Sequence, residues 1–286
     1  MTSLTAPLSR PRSFIVFFVL AFGISWVAWV PTALASYGLL AFQPDLTVSG
    51  LLGAFGPFLA TLITTTLYDG RAGFRTLVKQ LLTWRVGVQW YVFVLLWPIA
   101  LSLLKTYLAV GFGSAWPDFS QPPFLRLYPL PAELLSTTPF LAFLPVVFLQ
   151  QLLVGSSMGE EPGWRGYALP RLLARYGSLQ ASLILGFVWS VWHFPLWLTK
   201  GNAMQETFLG WSVLGLVATT ILFTWVYNHT QGSLFLALLF HTSIAISGLF
   251  VASADTHPLV EVAINWIAVA IIIRIFGPKL VAGSTS

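Results

Sequence analysis

The chain has 286 residues, of which 57% are hydrophobic and 8% charged, with a mean hydropathy of +0.81; soluble domains carry roughly 25% charged residues, so an ordinary soluble fold is excluded. Fourteen Lys and Arg stand against nine Asp and Glu for a net charge of +5, but the basic residues are scattered over loops and ends, which argues against nucleic acid and fits determinants of membrane topology. The absence of cysteine excludes disulfides, thiolate metal ligands and a cysteine nucleophile.

At about 20 residues per crossing, the length leaves room for about eight spans and no separate soluble domain. The expectation is an all-α integral membrane protein, one polytopic domain over residues 1–286, with no internal repeat. Arg10 and Arg12 precede an uncharged run over 14–30 that continues past Pro31 to Phe42. Ala33-Leu34-Ala35 has the look of a signal-peptide cleavage site, but the apolar run exceeds the usual core of about 7–15 residues, so the reading is an uncleaved first span. A second span over 48–68 carries Gly50, Gly53 and Gly56 on a face that permits close helix packing.

The linker 69–88 interleaves Arg71, Arg75, Lys79 and Arg85 with Phe74, Leu77, Val78, Leu81 and Leu82 at helical spacing. That pattern predicts an amphipathic interfacial helix lying along the bilayer. A third span over 89–112 contains Lys105, read as snorkelling to the interface. After a Pro-rich loop over 113–139 come spans over 140–157, 179–198, 208–227, 233–252 and 259–276. Eight crossings gather Arg10, Arg12, Arg71, Arg75, Lys79, Arg85, Arg165, Arg171, Arg175, Arg274 and Lys279 on one side, leaving Lys105, Arg126 and Lys200 on the other. The asymmetry places both termini in the cytoplasm.

The stretch 155–198 holds the candidate chemistry. Ionisable side chains are costly at membrane depth, so Glu160, Glu161 and Arg165 among apolar segments read as a site rather than as decoration. Two neighbouring desolvated carboxylates call for a compensating cation, and Arg165 stands four residues after Glu161, the favourable order on a helix. Pro162 disfavours helix at Glu161, so the expectation is a break at the pair, with Glu161 capping a short helix from Pro162. Either way Glu161 is held structurally and Glu160 is free to act as a base. The bland reading is a helix start at the membrane boundary with solvated charges. His193 and His241 each stand in an uncharged run, and the small residues Ser182, Gly186 and Ser190 on one helix, and Ala237, Ala245 and Gly248 on the other, point both imidazoles into the bundle. One carboxylate and two imidazoles could activate a water, directly or through a metal held by Glu160, His193 and His241. His229 and His257 read as loop residues.

The run Glu160-Glu161-Pro-Gly-Trp-Arg165-Gly166-Tyr167, then Trp189-x-x-x-His193, then Asn228-x-x-x-Gly232-Ser233 leading to His241, resembles the CPBP membrane proteases (CAAX-processing and bacteriocin-processing enzymes, also called Abi proteins). The likeness covers residues from about 150 to 250, the motif-bearing core. It implies an intramembrane endopeptidase cutting a membrane-associated peptide near the cytoplasmic boundary. Glu160 and His193 would activate water and His241 would stabilise the oxyanion, with Glu161 and Arg165 in support. A divalent metal such as zinc or none at all is compatible with the resemblance. One position departs: the family commonly has Asn or Asp four residues after the second His, and here that residue is Ala245. An oxyanion donor is worth on the order of 3 kcal/mol, so its loss implies a slower enzyme, a substitute such as Thr242, Ser243 or Asn265, or a silent scaffold or immunity protein. A proton or solute transporter is the third reading, disfavoured by the lack of repeat symmetry. The spans as drawn also pose a register problem: His193 lies about 20 Å along its helix, whereas Glu160 sits at the boundary.

Overall fold

A computed structural model describes residues 11–128, 130–254 and 256–281; Arg10 lies outside them. Among the described residues every regular element is helical. The first is α1 (Pro11–Ser36), which runs through Pro31 and stops short of Phe42. Next come α2 (Leu46–Ala54) and α3 (Gly56–Thr64), offset at Phe55, and a π-helical turn over Thr65–Asp69. Gly70, at φ +56°, then turns the chain out of the span into α4 (Gly70–Leu81), a reversal that costs a residue without Cβ little. As the spacing predicts, α4 is amphipathic: Arg71, Arg75 and Lys79 are exposed, and Gln80 is buried with its amide donating to the Tyr227 hydroxyl at 3.0 Å.

Helix α5 (Val88–Gly111) follows, then a loop with two short helical turns. The chain re-enters the bundle as α6 (Leu144–Val154), α7 (Ser156–Glu161), a second π-helical turn (Pro162–Ala168) and α8 (Leu169–Leu173). Helices α9 (Ser178–Trp192), α10 (Leu209–His229), α11 (Leu234–Phe250) and α12 (Leu259–Phe276) complete it. Among the described residues six helical stretches are long and apolar enough to cross a membrane. Two shorter apolar helices, α9 and α11, bring the bundle to the eight apolar elements that the hydropathy pattern predicts. The chain is a multi-pass helical membrane protein.

Packing explains which glycines matter. A Cβ on Gly53 would meet the Trp29 indole at 2.0 Å and one on Gly56 the Ser25 hydroxyl at 2.0 Å, so α1 lies directly on α2 and α3; Gly50 faces open space. The expected glycine face is therefore two residues deep. Lys105 does not simply snorkel: its ammonium pairs with Glu261 at 2.8 Å, tying α5 to α12.

The principal correction concerns the fourth span. The helical run does not end at Ser157 but continues to Leu173, over Phe140–Leu173. Gly155 interrupts it in an extended conformation, and the helix restarts at Ser156. The chain then turns over residues 174–177 and returns as α9.

Candidate active site

Glu160 and Glu161 end α7, and two backbone contacts fix their place. A Cβ on Gly159 would fall 2.6 Å from the Ala54 carbonyl oxygen, and one on Gly163 would fall 2.5 Å from Pro57 Cβ. Only glycine lets α7 and the π-turn press so closely on α2 and α3. The expected break at the Glu pair is absent: Glu161 is helical at φ −63° and ψ −36°. Pro162 has no N–H to donate to the carbonyl four residues back, and the chain accommodates it by widening into the π-turn rather than by stopping. Glu161 is therefore no cap. Its carboxylate is used inside the protein.

The pair is 4% exposed at Glu160 and 0% at Glu161, so the reading of solvated boundary charges fails. Arg165, also 0% exposed, donates from Nη1 to Glu161 Oε1 at 2.9 Å, the i, i+4 pair that the sequence predicts. Its guanidinium lies between two rings, 4.5 Å from the centroid of Trp189 and 4.0 Å from that of Phe223, and its Nη2 reaches Thr220 Oγ1 at 3.5 Å. This arginine is an interior structural cation and not one of the boundary charges that set topology. Burial of two ions is tolerated only when each is paired and bonded, and here α9 and α10 supply the walls.

The same Oε1 of Glu161 accepts from His241 Nδ1 at 2.7 Å. A carboxylate only accepts, so a proton sits on Nδ1, and Nε2 is the ring nitrogen that faces away from Glu161. His193 has the same form for a different reason, since its Nδ1 faces the Trp189 carbonyl oxygen at 2.8 Å. His193 stands at the end of α9 rather than within it. Its ring is 4.6 Å from Trp192 and 6.3 Å from Trp29 of α1. The Trp192 indole is held in turn by Ser25 Oγ at 2.8 Å.

Trp189 joins these parts, and sequence reasoning gives it no role. Its indole N–H donates to Glu160 Oε2 at 2.7 Å. Its ring centroid is 5.5 Å from His193 and 6.1 Å from His241. The available signal is its position one turn before His193 on the same helix face. Glu160 Oε1 accepts no hydrogen bond among the described residues and is not fully enclosed, whereas the enclosed carboxylate oxygen without a partner is Glu161 Oε2. Ser156 is a second omission: its Oγ lies 3.4 Å from His241 Nε2.

Other predicted features divide. Ser182, Gly186 and Ser190 are buried as expected, whereas on α11 the small-residue face is buried at Ala237, half-buried at Ala245 and open at Gly248. The suggested substitute donors are occupied or distant. Thr242 donates to Ser157 Oγ at 2.9 Å, Ser243 donates to the Leu239 carbonyl at 2.8 Å, and Asn265 lies on α12, which packs on α10 and α5. His229 is no loop residue; it ends α10 with its ring 4.9 Å from Trp90 and 5.0 Å from Phe276. Asn228 donates to Ser178 Oγ at 3.0 Å and Ser233 caps α11, so that motif is structural. Among the described residues no three His, Asp or Glu side chains gather as a metal requires. In this arrangement Glu160, His193 and His241 do not form a ligand set.

Two comparisons bear on this geometry. Residues 137–247 match the family model of type II CAAX prenyl endopeptidases, Rce1-like. A CAAX prenyl protease 2 of Methanococcus maripaludis is 26% identical over 266 residues, which cover 90% of this chain and 92% of that protein. The matched region runs from the start of the fourth span past His241 and contains all five predicted site residues.

Proposed function

We propose, for a chain whose residues 137–247 match the Rce1-like family model, that it is a membrane protease that hydrolyses peptide bonds with a water activated by Glu160, and that its substrates are prenylated peptides. One observation carries the reading: Glu160 is buried, is held at one oxygen by Trp189, and keeps the other oxygen unpartnered beside two imidazoles that share the same indole. That oxygen is not fully enclosed, so an entering group can reach it and satisfy it. Water fits that place.

In the proposed step, water donates one hydrogen bond to Glu160 Oε1 and the other to His193 Nε2. As its oxygen attacks the scissile carbonyl carbon, its proton passes to Glu160, giving a tetrahedral oxyanion. Collapse breaks the C–N bond and Glu160 returns the proton to the leaving amine. His241, backed by Glu161 and Arg165, faces the oxyanion when its Nε2 is protonated. No step is routed through a metal, since among the described residues no three His, Asp or Glu side chains gather to hold one.

The substrate class rests on the relative's name and on shape. An apolar groove of about 490 Å³, lined by Leu81, Trp84, Leu152, Met158 and Leu238 among others, runs between α4, α6–α7 and α11. It has the chemistry to take an isoprenoid chain. The basic side formed by Arg71, Arg75, Lys79, Arg171 and Arg175 is taken as cytoplasmic, with both termini on it and the plasma membrane of a prokaryote as the setting. Ala245 favours a second reading, a proteolytically silent scaffold. The test is hydrolysis of a farnesylated peptide ending in a CaaX sequence by the protein in nanodiscs. Glu160→Gln should reduce it about 10²–10⁴-fold; equal cleavage by both proteins would leave the silent reading standing.

A further inference from the structure

The buried chain Arg165–Glu161–His241 ends on a group that no motif marks. Arg165 bonds Glu161 at 2.9 Å, Glu161 bonds His241 at 2.7 Å, and His241 Nε2 meets Ser156 Oγ at 3.4 Å. The first two links are short and fully or mostly enclosed, whereas the last is long and lies where the site opens: Ser156 is half-buried and the His241 side chain 12% exposed. A hydroxyl and an imidazole nitrogen that touch only weakly stand side by side at the part-exposed end of this chain of bonds, so a carbonyl oxygen brought against them would meet both.

Elimination leads to the same residue. A tetrahedral oxyanion needs preorganised donors, but the other side-chain donors around the carboxylate–imidazole cluster already serve fixed acceptors or are enclosed. Trp189 N–H goes to Glu160, Arg165 Nη1 and Nη2 to Glu161 and Thr220, Thr242 to Ser157 and Ser243 to the Leu239 carbonyl, and the one unengaged donor among them, Arg165 Nε, is fully enclosed where no substrate oxygen reaches it. Ala245, one turn beyond His241 on α11, brings no donor at all. Ser156 remains. Its hydroxyl can rotate from His241 to a substrate oxygen at the loss of one weak bond.

Resting on the protease reading above, we propose that Ser156 is a catalytic residue of this chain, its Oγ–H donating to the oxyanion of the scissile carbonyl beside His241. It forms no covalent bond. The Gly155 break is what supplies it, since the restart of the helix at Ser156 puts the hydroxyl on the first turn of α7, four residues before Glu160 and against α11. One short helix thus carries the base and an oxyanion donor.

The test uses the full chain in nanodiscs with the farnesylated CaaX peptide, plus solid-state ¹⁵N spectra of histidine-labelled protein, which contains four histidines. Ser156→Ala should lower kcat about 10²-fold with KM little changed, as loss of an oxyanion donor does elsewhere. It should also move the His241 Nε2 resonance and leave that of His193 in place. Adding Ala245→Asn to Ser156→Ala should return at least about tenfold of the lost rate, because position 245 lies one turn from His241 on the same face. The proposal is overturned if Ser156→Ala keeps kcat within twofold, or if a fluorophosphonate labels Ser156 covalently and marks it as a nucleophile. A His241 resonance that shifts in Ser156→Ala while the wild-type protein cleaves nothing refutes the protease reading, and the donor role with it. Normal wild-type cleavage with an unmoved resonance refutes Ser156 alone.

Discussion

Replacing Arg165 by Met tests whether the buried ion pair is the structural foundation of the site. Met keeps much of the arginine's volume against Trp189 and Phe223 but removes the charge facing Glu161, leaving that carboxylate at 0% exposure with only His241 beside it. Breaking a buried pair from one side costs about 3–5 kcal/mol, mainly because the remaining ion is neither solvated nor paired. At about 2 °C per kcal/mol for a chain of this size, the melting temperature should fall by about 6–10 °C. The partner substitution supplies the sign control. Arg165→Met combined with Glu161→Gln buries two neutral groups of similar shape, an exchange that is often neutral or stabilising, so melting should recover most of the loss. Activity should not recover, because a glutamine at 161 no longer holds the proton on His241 Nδ1 as a carboxylate does. The assay is intrinsic-fluorescence melting in detergent, run beside peptide cleavage. An Arg165→Met protein melting within about 2 °C of wild type, or a double variant no more stable than the single, would refute the argument.

Three further outcomes follow from the same geometry. Gly159→Ala puts a methyl 2.6 Å from the Ala54 carbonyl oxygen; backbone cannot yield as a side chain can, so a cost of about 1–3 kcal/mol and loss of cleavage are expected, measured by melting and turnover. Trp189→Phe keeps a ring against both histidines but removes the 2.7 Å bond to Glu160; a hydrogen bond to a charged group is worth about 1.5–3 kcal/mol, so kcat should fall at least about tenfold with KM unchanged. Prolonged dialysis against a chelator should leave cleavage by the wild-type protein intact, and a loss restored by zinc would show that the three candidate ligands rearrange around a metal.

Much of the site was legible because its rules are local. The i, i+4 spacing of Glu161 and Arg165 survives into a 2.9 Å bond, and the small-residue face of α9 turns inward as its pattern requires. What was not legible depends on contacts between distant segments. The preference of Pro162 against a helical Glu161 is a local term of modest size, and it yields to two buried pairings of the carboxylate with Arg165 and His241. Trp189 reads as one more apolar residue until Glu160 arrives from another helix to receive its N–H. Ser156 is one of several small polar residues in its run, and only the approach of α11 distinguishes it from Ser157.

The register problem posed by the sequence has a physical resolution, and it determines how the site can exist at all. Ending the fourth span at Ser157 leaves the Glu pair at a boundary and His193 deep in the bundle. With the span continuing to Leu173 and the chain reversing before Ser178, Glu160 and His193 lie on the two arms of one hairpin, 13 and 15 residues from its turn. At about 1.5 Å per residue each is roughly 20 Å from the reversal, hence level with the other. The π-turn through Pro162–Ala168 sits between them and the turn, where its widened backbone lets Gly163 seat against Pro57 while Arg165 points to Trp189 of the returning arm. The depth of the carboxylates and the meeting of acid, indole and imidazole thus have one cause, the continuation of a helix past a proline that local propensity would have ended.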